Sequence, residues 1–189
     1  MLLLIISGES GVGKTTIEKK IANDTSLNFT RIISVTTRKQ RKDEKPNFDY
    51  YFISKEKFKE ELKKNNFIEH ISYDDNYYGI YRRDIDFLFD KKKNCVVSAG
   101  VEGTKQIKRY FLKKNLCVVS IWLKPEKPEK IIKYMLKRKT NFEEIKRRLV
   151  INEKERKENN IFDYTLIVRE NFLEETIEEI KKIIFNFQV

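Results

Sequence analysis

Short apolar runs and amphipathic stretches alternate along most of this chain. Residues 2–7, 30–34, 95–98, 116–122 and 165–168 are rich in Val, Ile and Leu. Near-continuous apolar runs of that length predict parallel strands buried on both faces. Residues 15–22, 102–112, 128–137, 142–158 and 173–187 carry helical patterns instead. Thr140, with Glu143 three residues on, makes a capping-box start for the fourth of these helices. In the last, Ile177, Ile180 and Ile184 recur at helical spacing and form a packing stripe. Strand alternating with helix predicts an α/β fold of three layers, with a mainly parallel sheet between helices.

From about Val35 to Arg83 the alternation breaks. This stretch holds six of the nine tyrosines (Tyr50, Tyr51, Tyr73, Tyr77, Tyr78 and Tyr81) and short strand-like pieces around one helix, 55–65. It predicts a small α+β lobe, residues 35–83, set into a core made of 1–34 and 84–189. The 189 residues fit one domain of that kind. Tyrosine pairs an apolar ring with a hydrogen-bonding tip, so the lobe can complete its own core or bind a ligand.

Hydrophobic residues make up 40% of the chain and charged residues 37%, a globular composition with a heavily charged surface. No apolar run approaches the ~20 residues of a membrane span, and the opening run lacks the flanks of a signal peptide. The expected setting is the cytoplasm, with no membrane partner. Cys95 and Cys117 each open a Cys-Val-Val run, which predicts packed core thiols. The net charge of +11 raises nucleic-acid binding as a possibility. Its lysines and arginines are interleaved with glutamates, as in 55–64 and 143–157, which describes a solvated, ion-paired surface. No nucleic-acid partner is expected; positive potential also suits a site for polyphosphates.

Gly8-Glu9-Ser10-Gly11-Val12-Gly13-Lys14-Thr15 matches G-x-x-x-x-G-K-[ST] between a predicted strand and a predicted helix. Glycines there let successive backbone N–H groups approach a phosphate chain, and the helix N-terminus favours anions. Residues Gly8 through Thr15, with Thr16 beside them, form the expected ATP-binding set. Lys14 neutralises the β- and γ-phosphates, and the Thr15 hydroxyl joins the shell of Mg²⁺. GTPases, motor ATPases and small-molecule kinases all share this loop, so the reaction has to be read elsewhere.

Further on come Ser34-Val35-Thr36-Thr37-Arg38 with Arg41 and Glu44, then Asp49-Tyr50-Tyr51-Phe52, Glu69, and Tyr77-Tyr78-Gly79. Arg38 and Arg41 can fork onto a phosphate, and Tyr50 and Tyr78 can donate to its oxygens. Glu69 can accept from two adjacent N–H donors on one base edge, a pair that guanine offers at N1 and N2. The ordered series T-T-R-x-x-R-x-x-E, D-Y-x-F, E and Y-Y-G resembles guanylate kinases, and the resemblance runs from Leu4 to the final helix.

That resemblance implies transfer of the ATP γ-phosphoryl group to GMP. Ser34, Arg38, Arg41, Tyr50 and Tyr78 would hold the GMP phosphate, Glu69 would read guanine, and Gly79 would let the chain turn beneath the base. A helical lid at about 125–148 would bring Arg138 and Arg148 to the phosphates during transfer, as catalytic residues beside Lys14. Substrates would be ATP and GMP, with Mg²⁺, in a monomer or homodimer. Four departures stand out. Ile80 replaces the usual Ser or Thr, Ser98-Ala99-Gly100 replaces Asp-x-Asp, Tyr134 replaces an arginine, and glycines near Asp43 and Asn47 are absent. A kinase for another nucleoside monophosphate, or a non-catalytic binding module of the same build, remain as alternatives. Of the lesser signals, His70 has no partner ligands, Trp122 is expected in the core, and Glu102 reads as a first-turn helix carboxylate.

Overall fold

The structure, a computed structural model, describes residues 1–137, 140–169 and 173–187. The first apolar run forms β1 (Leu2–Gly8), buried along its whole length. It is the middle strand of a five-stranded sheet. On one side lie β7 (Asn94–Ser98) and then β2 (Phe29–Arg31); on the other lie β8 (Cys117–Pro125) and then β9 (Tyr164–Val168). Every neighbouring pair is parallel.

Successive side chains of β1 serve opposite faces, as a two-residue period requires. Leu2, Leu4 and Ile6 pack with Ile17 and Ile21 of α1 (Lys14–Asn23) and with Ile177, Ile180 and Ile184 of α7 (Leu173–Phe185). Leu3 and Ile5 pack on the other face with Ile107 and Phe111 of α4 (Val101–Leu112) and with Ile85 and Leu88 of α3 (Arg82–Asp90). These are the three layers. Helix α3 is absent from the sequence pattern because Phe87 and Phe89 stand exposed beside the buried Ile85 and Leu88, which blurs the apolar stripe.

A second sheet of four strands runs β4 (Tyr51–Phe52), β3 (Val35–Thr36), β6 (Asn76–Tyr81), β5 (Phe67–Tyr73). Its core joins Phe58 of α2 (Lys55–Lys63) to Val35, Phe67 and Tyr81, with the Phe58 and Phe67 rings stacked at 4.6 Å. Asp74 and Asp75, at φ 48° and 60°, turn the chain between β5 and β6. The remaining helices, α5 (Glu129–Lys137) and α6 (Phe142–Lys157), follow β8 and share the apolar cluster of Ile131, Met135 and Ile145.

Three expectations need correction. The cap of α6 is Asn141, whose side chain accepts from the Glu144 N–H at 2.8 Å, one residue past Thr140. Strand β2 ends at Arg31, short of Ser34, where the chain leaves for the second sheet. Cys95 is buried and its thiol is pushed up to about 12 by desolvation, but Cys117 opens its strand at the sheet's end and is exposed. Trp122 is fully buried as expected. Among the described residues no helix is long and apolar enough to cross a membrane.

Candidate functional site

The loop after β1 is shaped by its glycines. Gly8 has φ 137°, and a Cβ there would stand 2.3 Å from the Leu123 carbonyl oxygen on β8. Gly13 has φ 103° and caps α1, so the helix starts at Lys14. The loop opens onto a cleft lined by Gly8, Ser10, Gly11, Gly13, Lys14, Thr15 and Thr16. Glu9 and Val12 turn their side chains away. Val12 enters the core, and Glu9 accepts from Arg156 Nε and Nη2 at 3.0 and 2.9 Å. Lys14 Nζ donates to the carbonyls of Gly8 (2.6 Å) and Glu9 (3.0 Å). Burial lowers its pKa to about 8, against the raising influence of Glu155.

The opposite wall of the same cleft carries Ser34, Arg38, Arg41, Tyr50, Glu69, Tyr78 and Gly79. Glu44 organises the arginines. It accepts from Arg38 Nη1 and Nη2 at 3.1 and 2.8 Å and from the Arg41 backbone N–H at 2.8 Å. The Arg38 guanidinium lies 5.4 Å over the Tyr50 ring, which meets Tyr78 edge-on at 6.2 Å. Gly79 is needed for space, since a Cβ there would be 3.0 Å from the Glu69 carbonyl oxygen. Glu69 is 4% exposed, and its Oε1 lies 2.6 Å from where a Cβ on Gly103 would be. Burial alone pushes its pKa up to about 8. An apolar setting of this kind favours a protonated carboxyl until a ligand supplies donors.

Helix α6 closes the third side. Arg148, Asn152 and Glu155 recur at helical spacing on one face. Arg148 Nη1 donates to Ser10 Oγ at 3.3 Å, and Asn152 Oδ1 accepts from the Ser10 N–H at 2.9 Å. Glu155 lines the cleft and accepts from the Val101 N–H at 3.2 Å. Arg138 lies outside the described residues.

Apart from the Glu9 and Val12 side chains, the structure thus brings both predicted sets to one cleft. It moves Ile80 out of it: Ile80 is 1% exposed and packs with Ile32, Ile85 and Leu88, opposite Glu69 in the β5–β6 ladder. Ser98 and Gly100 do line the cleft, as does Tyr134. His70 is exposed, with its backbone paired to Gln106, and Glu102 is exposed beside Lys105. Sequence reasoning missed Tyr73 and Ile71, which line the cleft with Glu69. The two-residue alternation 69, 71, 73 along β5 is the signal that finds them. It also missed Glu155, whose i+7 spacing from Arg148 was legible in a highly charged helix only after the partner loop was known.

Residues 1–187 match the family described as guanylate kinase. The guanylate kinase of Mycoplasma mobile is 38% identical over 185 residues, covering 96% of this chain and 91% of that protein. That of Mycoplasmoides gallisepticum is 35% identical over 187 residues, covering 98% and 93%. Among solved structures, the guanylate kinase from Anaplasma phagocytophilum is similar with a TM-score of 0.77 at 26% identity, covering 100% of this chain and 86% of that one.

Proposed function

The chain belongs to the guanylate kinase family, and from that premise we propose how its cleft transfers the γ-phosphoryl group of ATP to GMP. ATP takes the loop wall, with its phosphates against the backbone of residues 8–16 and the N-terminus of α1. Lys14 exchanges its carbonyl partners for the β- and γ-phosphates. The GMP phosphate takes the wall of Ser34, Arg38, Arg41, Tyr50 and Tyr78, where planar guanidinium forks match its oxygens. Guanine lies over Gly79, and Glu69 accepts from N1–H and N2–H₂.

Residues 35–83 serve as the acceptor lobe and 125–148 as a lid that excludes water, which otherwise competes as acceptor. Arg148, already directed at Ser10, offsets charge on the transferring group, a role the family resemblance also gives Arg138. The donors present suit Mg²⁺, which binds through few protein ligands plus phosphate oxygens and water. Thr15 would contribute its hydroxyl, and the ion would neutralise phosphate charge. No covalent enzyme intermediate is required, because positioning and charge neutralisation supply the catalysis.

The observation that carries this reading is the meeting of a phosphate-binding loop and an arginine–tyrosine wall across one cleft, with a buried carboxylate beside the second. An ADP-release assay with GMP, AMP, UMP and CMP tests it. GMP should be the best acceptor; a preference for AMP or a pyrimidine would defeat the base assignment while leaving the phosphate sites standing.

A further inference from the structure

Arg148 is buried, and each of its three guanidinium nitrogens has a partner. Its side chain is 8% exposed. Nη2 reaches Glu144 Oε1 at 2.6 Å within α6, Nη1 reaches Ser10 Oγ at 3.3 Å in the phosphate loop, and Nε reaches Asp74 Oδ2 at 3.0 Å. Asp74 comes from elsewhere in the fold. It sits at the tip of the β5–β6 hairpin, 74 residues away in sequence, with its side chain 4% exposed. Its second oxygen accepts from Arg147 Nε at 2.8 Å. The two guanidinia hold the Asp74 carboxyl below the usual carboxylate range in spite of burial, so Asp74 is ionised at neutral pH.

The geometry has a direction. A guanidinium is planar, so fixing Nε and Nη2 fixes where Nη1 points. Asp74 and Glu144 take those two positions, and Nη1 is left aimed at the phosphate loop. Without Asp74 the long side chain would regain rotamer freedom and one fixed edge would be lost. The same hairpin carries Tyr73, which lines the cleft, so the lobe that receives the acceptor also orients the arginine. We propose that Asp74 is a positioning residue for phosphoryl transfer: it orients Arg148 toward the phosphate loop from the tip of the acceptor lobe, coupling lobe and lid. This rests on the reading above that Arg148 serves the transfer step.

Substitution at Asp74 is feasible without disturbing the turn. Its φ of 48° suits Gly, and Asn also tolerates it. Turnover with ATP and GMP would be measured for Asp74→Gly, Asp74→Asn, Arg147→Ala, Arg148→Ala and the double variant Asp74→Gly/Arg148→Ala. Asp74→Gly should lower kcat about tenfold with KM for GMP within about twofold, the mark of a group acting in the transition state rather than in binding. Asp74→Asn, which keeps an acceptor oxygen but no charge, should fall between it and the wild type. Arg147→Ala should stay within about twofold of the wild type, since Arg147 is half exposed and serves only the second oxygen. In the double variant the Asp74 change should add nothing to Arg148→Ala. An equal loss on both backgrounds, or an unchanged kcat in Asp74→Gly while Arg148→Ala is impaired, overturns the proposal and leaves the function intact. An unimpaired Arg148→Ala would instead remove the arginine from the mechanism, and with it the premise.

Discussion

Replacing Glu69 with Gln separates what the site costs the fold from what it gives the reaction. The carboxyl is 4% exposed, and burial alone lifts its pKa from the ordinary 4.5 to about 8. A raised pKa means that the folded protein binds the proton more tightly than the unfolded chain. The associated stability is fully present below pH 4.5 and is lost as pH rises through about 8. Linkage over that interval amounts to about 3 kcal/mol at pH 7 and about 5 kcal/mol at pH 9. Gln has no charge to bury. In urea titrations of the free protein, Glu69→Gln should therefore gain stability over the wild type as pH rises from 5 to 9, with the m-value unchanged.

Activity should move the other way. The amide has one acceptor oxygen and a misplaced donor, so it cannot pair with both N1–H and N2–H₂. Two lost charge-assisted hydrogen bonds predict a fall of on the order of 10²-fold in kcat/KM for GMP. GMP binding to the wild type at pH 7 should also release a proton, because guanine's donors favour the ionised carboxylate. Calorimetry in buffers of different ionisation enthalpy reads this directly. A stability difference that does not vary with pH, or GMP binding with no proton release, refutes the buried-carboxylate argument.

Other perturbations probe the remaining walls. Lys14→Ala should lower kcat by about 10²-fold or more in ADP-release assays while thermal unfolding changes little, since its amine donates to the Gly8 and Glu9 carbonyls of the loop and not into the core. In the wild type, ATP affinity should fall as pH rises through about 8, where Lys14 loses its charge; binding titrations between pH 7 and 9 check this. Arg38→Lys and Arg41→Lys keep the charge but lose the fork, so KM for GMP should rise far more than KM for ATP. Gly103→Ala would crowd Glu69 Oε1, 2.6 Å from the new Cβ, and should impair GMP turnover without weakening ATP binding. Ile80→Ser removes a fully buried apolar side chain from the core and should cost about 3 kcal/mol in denaturant unfolding. The preference among bases should remain that of the wild type.

Most of the fold was legible because each β1 neighbour is apolar on both faces. Runs such as 95–98 and 116–122 need no partner to be recognised. The phosphate loop was legible for a similar reason: its glycines and Lys14 act through a contiguous segment. What escaped depends on contacts between distant segments. Cys117 is followed by the same Val-Val-Ser as Cys95, yet one opens a strand at the sheet's end and the other lies inside. Ile80 shares its strand face with the cleft-lining Tyr78, and only the approach of Ile32, Ile85 and Leu88 from other segments takes it into the core. Asp74 is an ordinary turn residue in sequence, and only the approach of α6 gives it a partner.

The same dependence explains what became of the corner where the resemblance expects Asp-x-Asp. Ser98 donates its hydroxyl to Glu18 of α1, and the other oxygen of Glu18 accepts from Arg31 Nε at 2.9 Å. That carboxylate is thereby committed to an ion pair with little exposure, 10% for Arg31 and 4% for Glu18. At Gly100 the missing side chain leaves room that Glu155 fills: its Oε1 lies 2.6 Å from where a Cβ would be. Burial raises the Glu155 pKa, and the nearby Lys14 charge pulls it back. Glu155 in turn favours the charged form of Lys14. A carboxyl group therefore borders the phosphate loop from a helix rather than from the end of β7. It acts on Lys14, the lysine proposed to hold the phosphates, so loss of Glu155 would reach that group through the protonation of Lys14 even without touching a ligand.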